Sequence, residues 1–229
     1  MSEDLPILLL SGMGADERLF APQRAEFPNL RVPAWIDPLP GESLRFYAAR
    51  LARRVDPGRP CLVGGASFGG IVALEMAPHL QARACVLIAS VRSPDELPWG
   101  WRALRVVTAF SPEHLGIAAG LVARYLAPSL PTETRHRLQR LSRPDAAFVR
   151  WASCAVSQWW PSPAARRVQV FHIHGALDRT LPVRYTRPDV VVPRGGHLLP
   201  RTHAAEVNCF LRENLERARN AAWSPAGFR

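Results

Sequence analysis

The stretch Gly65-Ala66-Ser67-Phe68-Gly69 constrains this chain more than any other, because it sets a serine in a G-x-S-x-G frame between a strand-like and a helix-like segment. Before it, Pro60 to Gly64 is short and mostly apolar, as a buried parallel strand requires. After it, Gly70 to Ala77 reads as an apolar helix that Pro78 ends. So sharp a turn strains the backbone at the serine, and the flanking glycines remove the Cβ atoms that would collide there. The hydroxyl is pushed into the open with a helix N-terminus behind it, where negative charge is favoured. The same residues also fit a tight glycine turn whose serine only caps the helix.

A serine hydroxyl is a weak nucleophile and needs a base within hydrogen-bond reach, itself oriented by a third group. Val190-Val191-Val192 followed by Pro193-Arg194-Gly195-Gly196-His197 is an apolar strand leading into a glycine loop that carries a histidine. Upstream, Val168 to His174 is a second strand, and Gly175-Ala176-Leu177-Asp178 is a turn that carries an aspartate. Both polar residues fall just past the C-terminal ends of strands, where open parallel sheets build their sites. The chain order is Ser67, Asp178, His197, which separates it from the chymotrypsin and subtilisin orders. Asp95 and Glu96, after the Ala84 to Ser90 strand, compete for the acid position, and the His174-Gly175-x-x-Asp178 frame favours Asp178.

These motifs resemble the α/β-hydrolase superfamily, and the likeness runs from about Leu5 to about Leu215. It also includes Leu8-Leu9-Leu10-Ser11-Gly12-Met13-Gly14 near the start. The resemblance implies Ser67 as nucleophile, His197 as general base and then acid, and Asp178 as the group that orients the imidazole. It further implies an oxyanion hole made by the amides of Phe68 and Met13. Many relatives have His-Gly where this chain has Ser11-Gly12, a change that touches loop geometry more than chemistry.

Strands and helices alternate along the chain, which implies a mostly parallel, six-stranded sheet with helices on both faces. The strands read as Pro6–Ser11, Leu30–Ile36, Pro60–Ala66, Ala84–Ser90, Val168–His174 and Asp189–Pro193. Helices read as Ser43 to Val55 with Ser43 as N-cap, Phe68 to Ala77, and Thr202 to Arg219 capped by Thr202. The antiparallel hairpin that opens larger relatives is expected to be missing. Between Arg92 and Pro163 the alternation stops, and Pro98, Pro112, Pro128, Pro131, Pro144 and Pro161 break a helical stretch. The α/β-hydrolases usually insert a cap there, so the division reads as core 1–91, helical cap 92–163, core 164–220 and a flexible tail 221–229. Trp99, Trp101, Trp151, Trp159 and Trp160 are candidates to line an apolar substrate pocket under the cap, although large aromatics also serve ordinary packing.

Composition fits one globular α/β domain: 229 residues, 48% of them hydrophobic. No apolar run approaches a membrane span, and Ile7 to Leu10 is too short for a signal-peptide core. Four cysteines without metal spacing read as buried free thiols, and a cytoplasmic location follows. All 29 basic side chains are arginines, for a net charge of +10. Coding bias accounts for dispersed arginines; an acidic carrier protein is the partner such a charge would suit, and no nucleic-acid motif is present. His172 and His174 read as structural histidines, and no cofactor or metal is expected, since neither a G-x-G-x-x-G nor a Walker pattern occurs. The chemistry read from this pattern is acyl transfer on a small or medium, partly apolar ester. A thioesterase, an acyltransferase, a carbon–carbon bond hydrolase or lyase, and a non-catalytic binding protein stand as alternatives, because the scaffold does not fix the substrate.

Overall fold

Short apolar runs, each followed by a glycine-rich or polar turn, become the strands of a single sheet. The computed structural model describes residues 5–99 and 145–220. Its strands are β1 (Ile7–Leu10), β2 (Leu30–Arg31), β3 (Cys61–Ala66), β4 (Ala82–Ile88), β5 (Val170–Gly175) and β6 (Val190–Val192). They lie in the order β2-β1-β3-β4-β5-β6, and every pairing is parallel. This is the α/β-hydrolase type of sheet: chain order reverses beside β1, and all strand C-termini share one edge.

Helices cover both faces. On one side α2 (Leu44–Val55) and α3 (Phe68–Met76) bury Leu44, Tyr47, Leu51, Ile71 and Val72 against the sheet, and α4 (Ala146–Gln158) packs on α2 and adds Val156 to the same cluster. On the other, the short α1 (Ala21–Glu26) and α6 (Ala204–Asn220) close over Ile7, Leu9, Val86 and Ile173 with Val207, Phe210 and Leu211. Ser43 caps α2 as expected, its hydroxyl accepting from the Phe46 amide at 3.4 Å.

The second strand and the last helix have other boundaries than the sequence reading gives them. The second strand stops at Arg31, because Pro33 has no amide to donate and residues 32–36 run on as an extended loop. Tyr47 pins that loop: its hydroxyl donates to the Ile36 carbonyl at 2.9 Å and accepts from the Ile36 amide at 3.2 Å. The C-terminal helix begins at Ala204, after a separate turn, α5 (Leu199–Thr202). Thr202 does not cap it; its hydroxyl is bonded to the Leu198 carbonyl at 3.1 Å and to the His203 ring at 2.9 Å. Of the cysteines, Cys61 and Cys85 are buried as expected, Cys154 is half-buried and Cys209 is exposed. Among the described residues no helix is long and apolar enough to cross a membrane. Of the stretch read as a cap, residues 100–144 lie outside the described residues.

Candidate active site

Ser67 sits between the end of β3 and the first residue of α3 with φ 53° and ψ −123°. A left-handed φ is strained for a residue with a Cβ. The surroundings hold it there: its amide donates to the Ile88 carbonyl at 3.0 Å, and its carbonyl accepts from the Gly70 amide at 3.0 Å and from the Ser90 hydroxyl at 2.6 Å. The flanking glycines are required by close approach. A Cβ on Gly65 would lie 2.5 Å from the Gly69 carbonyl carbon, and one on Gly69 would lie 2.2 Å from the Leu10 carbonyl oxygen.

His197 comes from the loop after β6, and its Nε2 is 3.0 Å from Ser67 Oγ. That loop lies against the end of β5 because Gly175 has no side chain, where a Cβ would come within 2.3 Å of the Gly195 carbonyl oxygen. On the other side of the ring, His197 Nδ1 is 2.7 Å from Asp178 Oδ2. The remaining oxygen, Asp178 Oδ1, accepts the amides of Thr180 and Leu181, both at 2.8 Å. Burial alone would push this carboxyl up. The charge of His197 and the hydrogen bonds from His174, His197 and the Leu181 amide outweigh it, and Asp178 is held well below the usual carboxylate range. The competing acids lie elsewhere: Asp95 is exposed, and Glu96 accepts the Arg92 amide at 2.7 Å.

The early loop passes close to the serine, since a Cβ on Gly12 would be 3.8 Å from that of Ser67. Ser11, standing where relatives have histidine, braces the loop by donating its hydroxyl to the Ala15 carbonyl at 2.8 Å. Met13 lies in the turn closed by the Ala15 amide on the Gly12 carbonyl at 3.0 Å. The Phe68 amide is the first of α3, so the helix itself offers it no acceptor.

The candidate pocket tryptophans go to different places. Trp151 packs edge-on against Phe68, with centroids 6.3 Å apart, and donates its indole N–H to the Glu42 carbonyl at 2.8 Å. Trp159 is buried and spends its N–H on Glu75 Oε1 at 2.9 Å. Trp99 and Trp160 are exposed, at 76% and 49%. Trp101 lies outside the described residues. A groove of about 510 Å³ between the start of α2 and α4 is lined by Trp151, Trp159 and Trp160 among others, while Ser67, Asp178 and His197 do not line it.

Two aromatics packed around Phe68, the residue after Ser67, were missed by the sequence reading. Trp35, on the loop after β2, stands 5.4 Å from the Phe68 ring and 5.3 Å from that of Phe148. Phe148 itself is 6.0 Å from Phe68. The available signal for Trp35 was its position just past a strand end, among Pro33, Pro38 and Pro40.

The comparisons agree with this architecture. The model of the alpha/beta hydrolase family matches residues 7–208, and the chain belongs to that family. No curated protein matches the sequence. Among solved structures it is similar to a malate-bound thermophilic esterase from Thermogutta terrifontis, at 22% identity over 93% of this chain and 90% of that one, with a TM-score of 0.64. It is also similar to MenH from S. aureus, at 18% identity over 96% of each chain, with a TM-score of 0.69. A third is the N-acyl homoserine lactonase AidH complexed with N-butanoyl homoserine, at 16% identity over 97% of this chain and 92% of that one, with a TM-score of 0.68. At such identities the likeness speaks for the fold.

Proposed function

We propose that this protein is a serine hydrolase that cleaves a carboxylic ester of a small or medium, partly apolar acyl substrate through an acyl-enzyme. The observation that carries the reading is the unbroken line from Ser67 Oγ to His197 at 3.0 Å and on to Asp178 at 2.7 Å, starting from a serine held at φ 53°. His197 Nε2 takes the Ser67 proton as Oγ attacks the ester carbonyl. The oxyanion that forms is held by the amides of Phe68 and Met13, each worth roughly 3 kcal/mol. Collapse of this intermediate expels the alcohol, which leaves with the proton held on His197. Water then attacks the acyl-serine with His197 again as base, releasing the acid and restoring Ser67. Asp178 stays ionised throughout and fixes the imidazole so that Nδ1 carries its proton and Nε2 faces the serine. Trp35, Phe148 and Trp151 gather around the ring of Phe68, the residue that follows Ser67, and this apolar cluster supports a substrate with an apolar portion. Esters as the substrate class are in keeping with the esterase and the lactonase among the similar structures.

A thioesterase or acyltransferase acting on an acyl group borne by an acidic carrier is the second reading. It is favoured by an open groove of about 630 Å³ lined by Arg92, Arg166 and Arg167, in a chain of net charge +10. The division into a core of 1–91 and 164–220 with a cap at 92–163 belongs to both readings.

Intact-mass labelling with a fluorophosphonate, beside Ser67→Ala, tests the common chemistry. One adduct on the wild type and none on the variant is expected. No adduct on folded wild type would favour a hydrolase-like binding protein without turnover. A panel of matched esters and thioesters of graded acyl length then separates the two catalytic readings.

A further inference from the structure

We propose that His174 is a positioning residue for Asp178: its ring clamps the 178–181 turn so that the carboxylate stays aimed at His197. This rests on the triad reading above and adds a second layer behind it.

His172 and His174 are two residues apart on β5, so their rings project from the same face, and both are fully buried. Hydrogen-bond chemistry places a proton on His174. Its Nε2 is 2.7 Å from the Leu181 carbonyl oxygen, which can only accept, so this nitrogen carries a hydrogen. The same N–H also lies 3.3 Å from Asp178 Oδ2, the oxygen that His197 uses. On the other side of the ring, His174 Nδ1 is 3.0 Å from His172 Nε2, so one nitrogen holds the turn and the other is held by its neighbour on β5.

The clamp closes on the catalytic carboxylate through Leu181. The carbonyl of Leu181 accepts from His174, and its amide donates to Asp178 Oδ1 at 2.8 Å. Without the ring, the carbonyl side of that turn has no anchor, and the Leu181 amide loses the constraint that aims it at Oδ1. Asp178 then swings more freely, and its attraction for the protonated His197 ring weakens. The charged groups around the pair are Asp178 and His197 on one side, with Arg92 and Glu96 from the segment after β4 on another. Asp189 completes the set, taking the His172 amide at 2.6 Å, with Arg187 beyond Glu96. Burial, with the charges of His174 and Arg92, pushes His172 down to about 3 against a hydrogen bond with the Ser90 backbone, so it stays neutral through ordinary pH.

The test compares His174→Gln with His174→Asn. A glutamine amide reaches the position of Nε2 and spans from His172 to Leu181, while asparagine reaches only the position of Nδ1. Both keep a polar group facing His172, so folding penalties are shared. The readouts are kcat, KM and the acid limb of kcat/KM on p-nitrophenyl butyrate. The downfield proton of the His197 Nδ1–H···Asp178 bond, read by NMR, is added because it needs no turnover. The Asn variant is expected to lose roughly tenfold or more in kcat with KM little changed. Its acid limb should move to lower pH and its downfield resonance should move upfield, while the Gln variant stays near wild type in all three. Asn and Gln variants that behave alike, or an acid limb that stays put in both, would overturn the clamp. Wild type that fails to label with fluorophosphonate would sink the hydrolase reading, and the NMR comparison would still decide the clamp.

Discussion

At the scale of single residues, Ser67 trades stability for geometry. Holding a side chain at φ 53° costs on the order of 1–3 kcal/mol. Glycine pays no such penalty there. Ser67→Gly is therefore expected to raise the thermal midpoint by an amount worth about 1 kcal/mol while abolishing labelling, measured by calorimetry and intact mass. An unchanged or lowered midpoint would mean that the strain is absorbed elsewhere. Asp178→Asn probes the next link. An amide in place of the carboxylate can present its NH₂ to His197 Nδ1, which then must turn its proton toward Ser67. A loss on the order of 10⁴ in turnover follows if the tautomer matters, with the fold intact. A loss below tenfold would leave Asp178 a structural role only.

At the scale of elements, α3 shows how a polar side chain is tolerated in a helix that is buried all round. Glu75 is 1% exposed, and its Oε1 accepts both the Trp159 indole N–H and the Ser162 amide at 2.9 Å, while Oε2 has no partner. One oxygen therefore does the bridging between α3 and the segment that follows α4. Glu75→Gln keeps that oxygen, so it is expected to cost less than about 1 kcal/mol. Trp159→Phe leaves Oε1 one donor short and should cost about 1–2 kcal/mol, while Glu75→Ala strands two donors and should cost more than either. Urea midpoints of the three variants would check the order, and a Gln variant as damaged as the Ala variant would overturn it. The same residues show why the aromatic reading of the sequence was only partly informative. A run of tryptophans says that large rings need burial, and only packing distributes them: Trp151 to the flank of Phe68, Trp159 to Glu75, Trp99 and Trp160 to the surface.

At the scale of the whole molecule, the parallel sheet gathers strand C-termini on one edge, and that edge brings together residues far apart in sequence. Ser67 and His197 are 130 positions apart yet share a hydrogen bond. The core beneath carries a titration that couples stability to pH. His172 sits at about 3 in the folded state against about 6.5 when unfolded. Between those values the unfolded chain binds a proton that the folded chain refuses, so stability falls as pH drops, by up to about 1.4 kcal/mol per pH unit. Asp178, held below its ordinary range, adds stability that is present above about pH 4 and lost as pH falls through its folded value. Denaturant midpoints are thus expected to decline from about pH 6.5 downward in the wild type and to flatten above pH 5 in His172→Gln. Equal slopes in both would assign the acid sensitivity to other groups.

The sequence by itself determined the fold class and the three residues at the centre of the candidate site. Strand-turn-helix patterning, glycines at points of close approach and the order Ser67, Asp178, His197 are all local signals, written in neighbouring residues. Local chemistry also foretold the Ser43 cap. It misread the end of the second strand, where Pro33 removes a ladder donor, and the start of the last helix. What tertiary structure decided is everything that depends on which surfaces meet: Trp35 and Phe148 against Phe68, the Ser90 hydroxyl on the Ser67 carbonyl, and the His174 ring on the Leu181 carbonyl. Those contacts join segments whose spacing along the chain carries no period, so only the packed sheet and its loops could bring them together.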